Sequence, residues 1–413
     1  MYEVGIIGAG AAGIEAAKAC LKYGVSAVLI SENEESFGGT CLNKGCIPLK
    51  SYLVQSQKTT NFPQIFSYKN KIVNYIKQAT LNYLKKRGIK ILWGRATLLD
   101  VNKIKVDQQV VTAKNIIIAC GSLPRKIIDI KDPRIFFVDD IFSLPRLPTK
   151  FLVVGAGPAG LEIASFLNNL NKQVLVIEKE DRILPGFDKF MGERLKKVLQ
   201  RKGIKIEVST DIENYSLQDF DMIILSAGRV ANSKNLGLEK VGVMVDEKGW
   251  IRVDDYLVTN IGNIYAVGDI IGKELLAYVA QRQGQICVEN ILGKRIKETY
   301  FNLPRAVFSS PNLAVVGVLR EEAEKMNLKY EVIRTNFLRF SSSYVYNDTD
   351  GYLEILVDPQ KKIMGAGIIS SFAGELISIF SLALNKHLSL DDLKNLILVH
   401  PTLNEIIPSL LKE

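Results

Sequence analysis

The chain has 413 residues, enough for two to three domains each with its own core. Its 47% apolar and 23% charged residues are those of a globular protein, neither disordered nor fibrous. Lys and Arg exceed Asp and Glu by 53 to 44, a net charge of +9, but the basic residues are scattered, which argues against a nucleic-acid binder. The longest uncharged stretches, such as 151–161 and 363–374, reach only about a dozen residues, too few to span a bilayer. The N-terminus enters a strand pattern at once and shows no secretory signal. Five cysteines are odd in number and too few for a disulfide scaffold, so a cytoplasmic chain with one purposeful cysteine pair is expected.

The first predicted unit, YEVGIIGAGAAGIEAAKACLKYGVSAVLISE at 2–32, reads as strand, glycine loop, helix and strand. Gly8, Gly10 and Gly13 allow a tight turn, the approach of a pyrophosphate, and close helix–strand packing. The same pattern returns 147 residues later in KFLVVGAGPAGLEIASFLNNLNKQVLVIEKE, with Gly155, Gly157 and Gly160. One such loop is a common turn; two in βαβ context describe a duplicated dinucleotide unit. Glu178 ends the second unit's second strand, 23 residues past Gly155, where a carboxylate accepts from a ribose diol and disfavours a 2′-phosphate. The same count in the first unit falls on Ser31, with Glu32 next, and both stay candidates for the ribose contact.

Between the two units lies GGTCLNKGCIPLK, 38–50, with Cys41 and Cys46. Pro48 places a helix start near Cys46 and leaves Cys41 in the preceding loop, a step that lets the sulfurs meet. Cys46 at a helix N-terminus would favour its thiolate. The alternative is a pair of buried structural thiols, the role expected for Cys20, Cys120 and Cys287 in their apolar surroundings. Residues 58–87 read as a basic, tyrosine-rich, solvated helix, and SLPRLPTK at 143–150 as a domain crossing. After residue 300, strands are predicted over 305–318, 330–340 and 351–369, with a turn at 347–351, then helices over 374–386 and 389–398. Of the two histidines, His387 reads as a surface residue. His400, with Glu405 five residues on, can be held in one tautomer as a general base or be structural.

GGTCLNKGCIPLK, the duplicated GxGxxG, IYAVGD at 264–269 and HPTLNE at 400–405 together resemble the class I pyridine nucleotide–disulfide oxidoreductases, and among them the dihydrolipoamide dehydrogenases, over essentially the whole chain. The resemblance implies an α/β fold of two Rossmann-like dinucleotide-binding domains, for FAD and NAD, plus a C-terminal α+β dimerisation domain. The expected boundaries are 1–145 for the FAD domain with its redox disulfide, 146–244 for the NAD domain, 245–300 for a return to the FAD region, and 301–413 for dimerisation. It implies that Cys41 is the interchange thiol, that Cys46 stacks on the flavin, and that His400 with Glu405 completes the other subunit's site in a homodimer. Cofactor-binding positions carried over are Gly8, Gly10, Gly13, Ser31 or Glu32, Gly39, Thr40, Lys50, Ala96, Gly121, Asp269 and Ala277, with Gly155, Gly157, Gly160, Glu162, Glu178 and Gly228. Lys50 is expected to pair with Glu162. No metal is implied. The expected substrate is a dihydrolipoyl group, carried for instance on a 2-oxoacid dehydrogenase or glycine cleavage complex. The rivals are a glutathione-type reductase of another small disulfide and a catalytically silent flavoprotein subunit. Departures from the family pattern are Leu398 where a second histidine is usual, Asn404 for a serine, Lys44 beside the redox pair, and losses between Lys50 and Trp93 and around 211–221.

Overall fold

A computed structural model describes residues 1–128, 132–300 and 302–412. Residues 301 and 413, the two ends of the expected dimerisation module, lie outside the described residues, as do 129–131.

Short buried strands and glycine turns build two parallel sheets on one plan. In the first, the strands Lys90–Trp93, Ala27–Ser31, Tyr2–Ile7 and Gln109–Ile118 lie side by side, and Ile264–Ala266 pairs with the last of them. Tyr2–Ile7 leads into helix α1, Ala11–Lys22. Gly8 makes this turn at φ +108°, and a Cβ there would lie 2.3 Å from the Ala119 carbonyl oxygen. A Cβ on Gly13 would lie 1.8 Å from the Gly8 oxygen, so the helix closes on the strand only with glycine at this place.

The second sheet repeats the device. Its strands run Lys205–Glu207, Gln173–Ile177, Lys150–Val154, Met222–Leu225 and Ile135–Phe137, all parallel. Gly155 turns at φ +107°, and a Cβ on Gly160 would be 2.0 Å from the Gly155 oxygen. Ile135–Phe137 pairs with Ile223–Leu225, so the chain has already joined the second sheet before residue 145, the expected boundary. The proline-rich stretch 143–150 is internal to this domain. The chain passes between sheets beside the antiparallel ribbon Ser122–Pro124 with Arg229–Ala231.

Three helices lie between the first sheet's second and third strands: α2, Gly39–Lys44; α3, Cys46–Ser56; and α4, Phe62–Lys86. The basic composition of α4 suggested a solvated helix, yet Phe62, Ile65, Leu81 and Leu84 are buried along one stripe. Its first turns join an aromatic cluster in which Tyr52 of α3 stacks on Phe166 at 4.6 Å and meets Phe62 edge-on at 5.8 Å. Phe166 belongs to α5, Pro158–Asn169, so this cluster fastens the redox segment to the second domain.

Lys69 is buried in the same cluster, its Nζ donating to the Phe142 carbonyl at 2.6 Å. Burial depresses its pKa to about 8. Between that value and the unfolded value near 10.4 the native state holds fewer protons, so stability should rise with pH in this window. Relative to a Lys69→Met variant, we expect wild-type stability to climb by about 1 kcal/mol per pH unit or less from pH 8 to 10, read from denaturant midpoints. Parallel curves for the two proteins would remove the assignment.

The last module is a five-stranded antiparallel sheet ordered Arg305–Val307, Asn312–Gly317, Ile363–Ser370, Tyr352–Val357 and Glu331–Asn336. Alternate residues face opposite ways. Tyr352, Leu356 and Ile369 pack toward Met191 and Leu195 of α6, Lys189–Arg201, in the second domain. Leu353, Ile355 and Ile368 pack toward Ile377 and Phe380 of the helix Ala373–Asn385. On that helical side Leu382, Ile397 and Val399 remain exposed, the last two at 98% and 75%. Such a patch suits association with another protein surface. Among the described residues no helix is long and apolar enough to cross a membrane.

Candidate active site

Glycines set the geometry of the cysteine pair. Gly38 and Gly39 take left-handed conformations, and a Cβ on Gly39 would lie 2.6 Å from the Gly10 Cα, which presses this segment onto the first glycine loop. Two left-handed residues then launch α2, so Cys41 stands in the first turn of a short helix rather than in a loop as expected. Gly45, at φ −151° and ψ −120°, ends α2 and begins α3 with Cys46 as its first residue. This break turns the two cysteines toward each other, and both are free thiols.

The helix N-terminus serves the other sulfur than the one the sequence suggested. The Cys46 thiol and the backbone N–H groups of Cys46 and Ile47 face the Cys41 sulfur and hold its thiol below its ordinary pKa, against burial and the charge of Asp269. Cys46 is pushed up by donating to Cys41, by burial of its sulfur, and by the charges of Cys41 and Glu162. In the dithiol form these surroundings make Cys41 the more acidic of the two thiols. Burial raises Cys20 and Cys120 to about 12 and Cys287 well above the ordinary value, as suits inert core thiols.

One turn after the pair, Lys50 does not form the expected ion pair with Glu162. Its Nζ sits over the Phe308 ring at 3.9 Å. Glu162 accepts from the Phe308 backbone N–H at 2.8 Å, and burial raises its carboxyl to about 7 against that bond and the Lys50 charge. Burial lowers Lys50, opposed by the charges of Glu375 and Glu162. Phe308 and Glu375 come from the last module, and no motif in the sequence points to them.

A second polar chain runs from Asp269. Ser122 donates to Asp269 at 2.6 Å, Arg229 donates to Ser122 at 2.6 Å, and Arg229 pairs with Asp139 at 3.1 Å. It ties the VGD turn to the interdomain ribbon. Gly121 and Gly228 flank it, with open space where a Cβ would be. No motif marks Asp139, since the two adjacent acids at 139–140 give no sign of which one turns inward.

Both glycine loops fit a dinucleotide. Gly10 and Gly157 are the N-cap residues of α1 and α5, and no side chain caps either N-terminus, which leaves backbone N–H groups for a pyrophosphate. Gly157 has nothing within 4 Å of a built Cβ. Beside the second loop Glu178 accepts from the N–H groups of Ala156 at 2.7 Å and Glu180 at 3.1 Å, which fixes its carboxylate at the mouth of the turn. At the corresponding end of the first unit Ser31 is buried and donates to Asn33, while Glu32 is exposed and accepts from Arg95 at 2.8 Å. Gly39 and Thr40 open α2. Ala277 opens the helix Ala277–Ile291, which packs on α1 through Gly284. Ala96 begins the strand Ala96–Asp100 on the first sheet's antiparallel extension. Among the described residues no cluster of His, Cys, Asp or Glu could hold a metal.

His400 stands on the surface of the last module. Its Nδ1 is 3.0 Å from Glu405 Oε1, and Glu405 Oε2 accepts from the Thr402 N–H at 2.8 Å. The Thr402 bond first, then His400, holds the Glu405 carboxyl low. The ring is 73% exposed and lies on the side of the module that carries Ile397 and Val399.

Known proteins agree with this architecture. The family model described as pyridine nucleotide-disulphide oxidoreductase matches residues 2–284, and that of its dimerisation domain matches 303–411. The chain is 34% identical to a dihydrolipoyl dehydrogenase of Buchnera aphidicola, over 98% of this chain and 94% of that one. It is 32% identical to the dihydrolipoyl dehydrogenase of Chlamydia trachomatis, over 98% and 95%. Among solved structures it superposes on the HOCl-induced flavoprotein disulfide reductase RclA of Escherichia coli with a TM-score of 0.94 and 26% identity, covering 100% of this chain and 99% of that one. With the duplicated glycine loops, the facing cysteines and the C-terminal antiparallel module in place, this chain belongs to the class I pyridine nucleotide-disulfide oxidoreductases, flavoproteins that work with FAD and NAD.

Proposed function

We propose that the protein oxidises a dihydrolipoyl dithiol at the Cys41–Cys46 pair and delivers the electrons to NAD. The observation that carries this reading is the Gly45 break, which sets the two sulfurs together with the α3 N-terminal N–H groups on Cys41. His400 of the partner subunit, its Nδ1 held by Glu405, takes a proton from one substrate thiol at Nε2. The resulting thiolate attacks the Cys41 sulfur of the oxidised pair and releases Cys46 as thiolate. The second substrate thiol passes its proton to the Cys46 thiolate, attacks the mixed disulfide, closes the substrate's own disulfide and frees Cys41 as thiolate. The N–H groups of Cys46 and Ile47 and the Cys46 thiol receive the charge left on Cys41. Two electrons have passed from substrate to the pair. Bound FAD supplies the two-electron carrier between the pair and NAD.

The residues that would hold FAD are the first loop's Gly8, Gly10 and Gly13, with Gly39, Thr40, Lys50, Ala96, Gly121, Asp269 and Ala277, and Ser31 or Glu32 at the ribose. Gly155, Gly157, Gly160, Glu162, Glu178 and Gly228 would serve NAD. The relatives' name supports a dihydrolipoyl group, carried on a 2-oxoacid dehydrogenase or glycine cleavage complex, and the free thiols suit a cytoplasmic setting. The likeness to RclA supports a second reading, reduction of another disulfide by the same pair run in reverse. An assay of NAD reduction by dihydrolipoamide beside NADPH-driven reduction of glutathione disulfide separates the two. The proposal expects the first to dominate, and turnover with glutathione disulfide alone would overturn it.

The fixed carboxylate of Glu178 makes nucleotide choice testable. It would face the 2′-phosphate of NADP, so kcat/KM for NAD should exceed that for NADP at least about tenfold, or 1.4 kcal/mol. Glu178→Ala should narrow the gap. Equal efficiencies in the wild type would remove the assignment.

A further inference from the structure

On the α6 side of the last sheet lies a cavity of about 360 Å³ lined by Arg194, Arg334, Thr335, Asn336, Arg339 and Tyr352. Arg194 comes from α6 of the second domain, and Arg334 from the edge strand Glu331–Asn336 of the C-terminal module. Among the described residues no carboxylate lines the cavity. The two acids beside it are already engaged: Asp350 pairs with Arg201 at 2.8 Å, and Glu354 with Arg320 at 2.6 Å while also accepting from Tyr352 at 2.9 Å. Arg194 is instead aimed by neutral groups, its guanidinium 3.8 Å above the Tyr352 ring and donating to the Asn336 side chain. Burial disfavours its cation, opposed by the charges of Tyr352 and Glu354 and reinforced by those of Arg201 and Arg334.

We propose that this cavity binds a small phosphate-bearing anion between the second domain and the C-terminal module. Guanidinium groups present paired N–H donors that match phosphate oxygens, and two from separate modules can grip one diphosphate from both sides. The volume admits a pyrophosphate group. The Tyr352 face is covered by Arg194, so no aromatic surface is left for a base, and recognition stops at the phosphates. The cavity lies across the sheet from the helix Ala373–Asn385 and the exposed Leu382, Ile397 and Val399, so association through that apolar face leaves it accessible. An anion held there joins α6 to the edge strand and should stabilise the interdomain arrangement.

The test uses the FAD-loaded dimer saturated with NAD, so that the glycine loops are filled, and titrates inorganic pyrophosphate by calorimetry and by thermal denaturation. Wild type should bind it at millimolar concentration or below and melt higher in its presence. ATP should bind with similar affinity, which shows that the phosphates alone are read. Arg194→Gln and Arg334→Gln should each weaken binding at least about tenfold, the loss of one charge-assisted hydrogen bond. Arg334 is exposed, so Arg334→Gln should retain wild-type turnover with dihydrolipoamide, which verifies its fold. Three outcomes would overturn the proposal: no binding by wild type, pyrophosphate affinity unchanged in Arg334→Gln, or binding of ATP without binding of pyrophosphate.

Discussion

Replacing Cys41 by Ser is expected to lower dihydrolipoamide-dependent NAD reduction by on the order of 10⁴-fold or more, and Cys46→Ser by a similar factor, because each change removes one half of the only exchangeable pair. Activity alone does not separate the two sulfurs; reactivity does. In the reduced protein the N–H groups of Cys46 and Ile47 and the Cys46 thiol favour a thiolate on Cys41, whereas Cys46 is held up by that same charge, by burial and by Glu162. Limited iodoacetamide treatment at neutral pH, read by mass spectrometry, should therefore modify Cys41 ahead of Cys46. In Cys41→Ser the charge that raises Cys46 is gone, so Cys46 should alkylate faster than it does in the wild type. Modification of Cys46 first in the wild type would reverse the assignment of interchange and flavin-side thiols.

His400→Ala should cost about 10²- to 10⁴-fold in turnover, the usual contribution of a positioned general base. Glu405→Gln should cost less, since the ring keeps a hydrogen-bonding partner and the Thr402 N–H still has an acceptor, but it loses the carboxylate that fixes Nδ1–H and strengthens the base. Both variants should leave FAD content and iodoacetamide labelling of Cys41 unchanged, which separates loss of the base from damage to the cysteine segment. A His400→Ala enzyme of undiminished turnover would exclude the histidine from the reaction.

The sequence announces its two nucleotide units because glycine is forced there: Gly8 and Gly155, Gly13 and Gly160 meet the same backbone obstacles in both copies. Cys41, Cys46 and the His400–Glu405 pair are legible for a similar reason, since their spacing already places them within reach. Other features depend on the fold and left no local mark. Two successive left-handed glycines at 38 and 39 look like a loop, yet they start α2 and so redirect the helix-terminal N–H groups from Cys46 to Cys41. The three-residue strand Ile135–Phe137 is too short to announce a change of sheet. The lysines of α4 mask the apolar stripe that seats it on Tyr52 and Phe166. Phe308 displaces Glu162 as the immediate partner of Lys50 from 258 positions away, a contact that only tertiary structure creates.

The proposed active site is shared by two chains, and hybrid dimers test that most directly. A Cys41→Ser homodimer lacks the disulfide at both sites, and a His400→Ala homodimer lacks the base at both. After reversible dissociation and random re-pairing, about half the dimers are hybrids, each with one doubly damaged site and one intact site. Dihydrolipoamide-dependent NAD reduction should then return to about a quarter of the wild-type value per site. Verified hybrids without recovered activity would mean that His400 serves the cysteines of its own chain, and the two-chain site would fall.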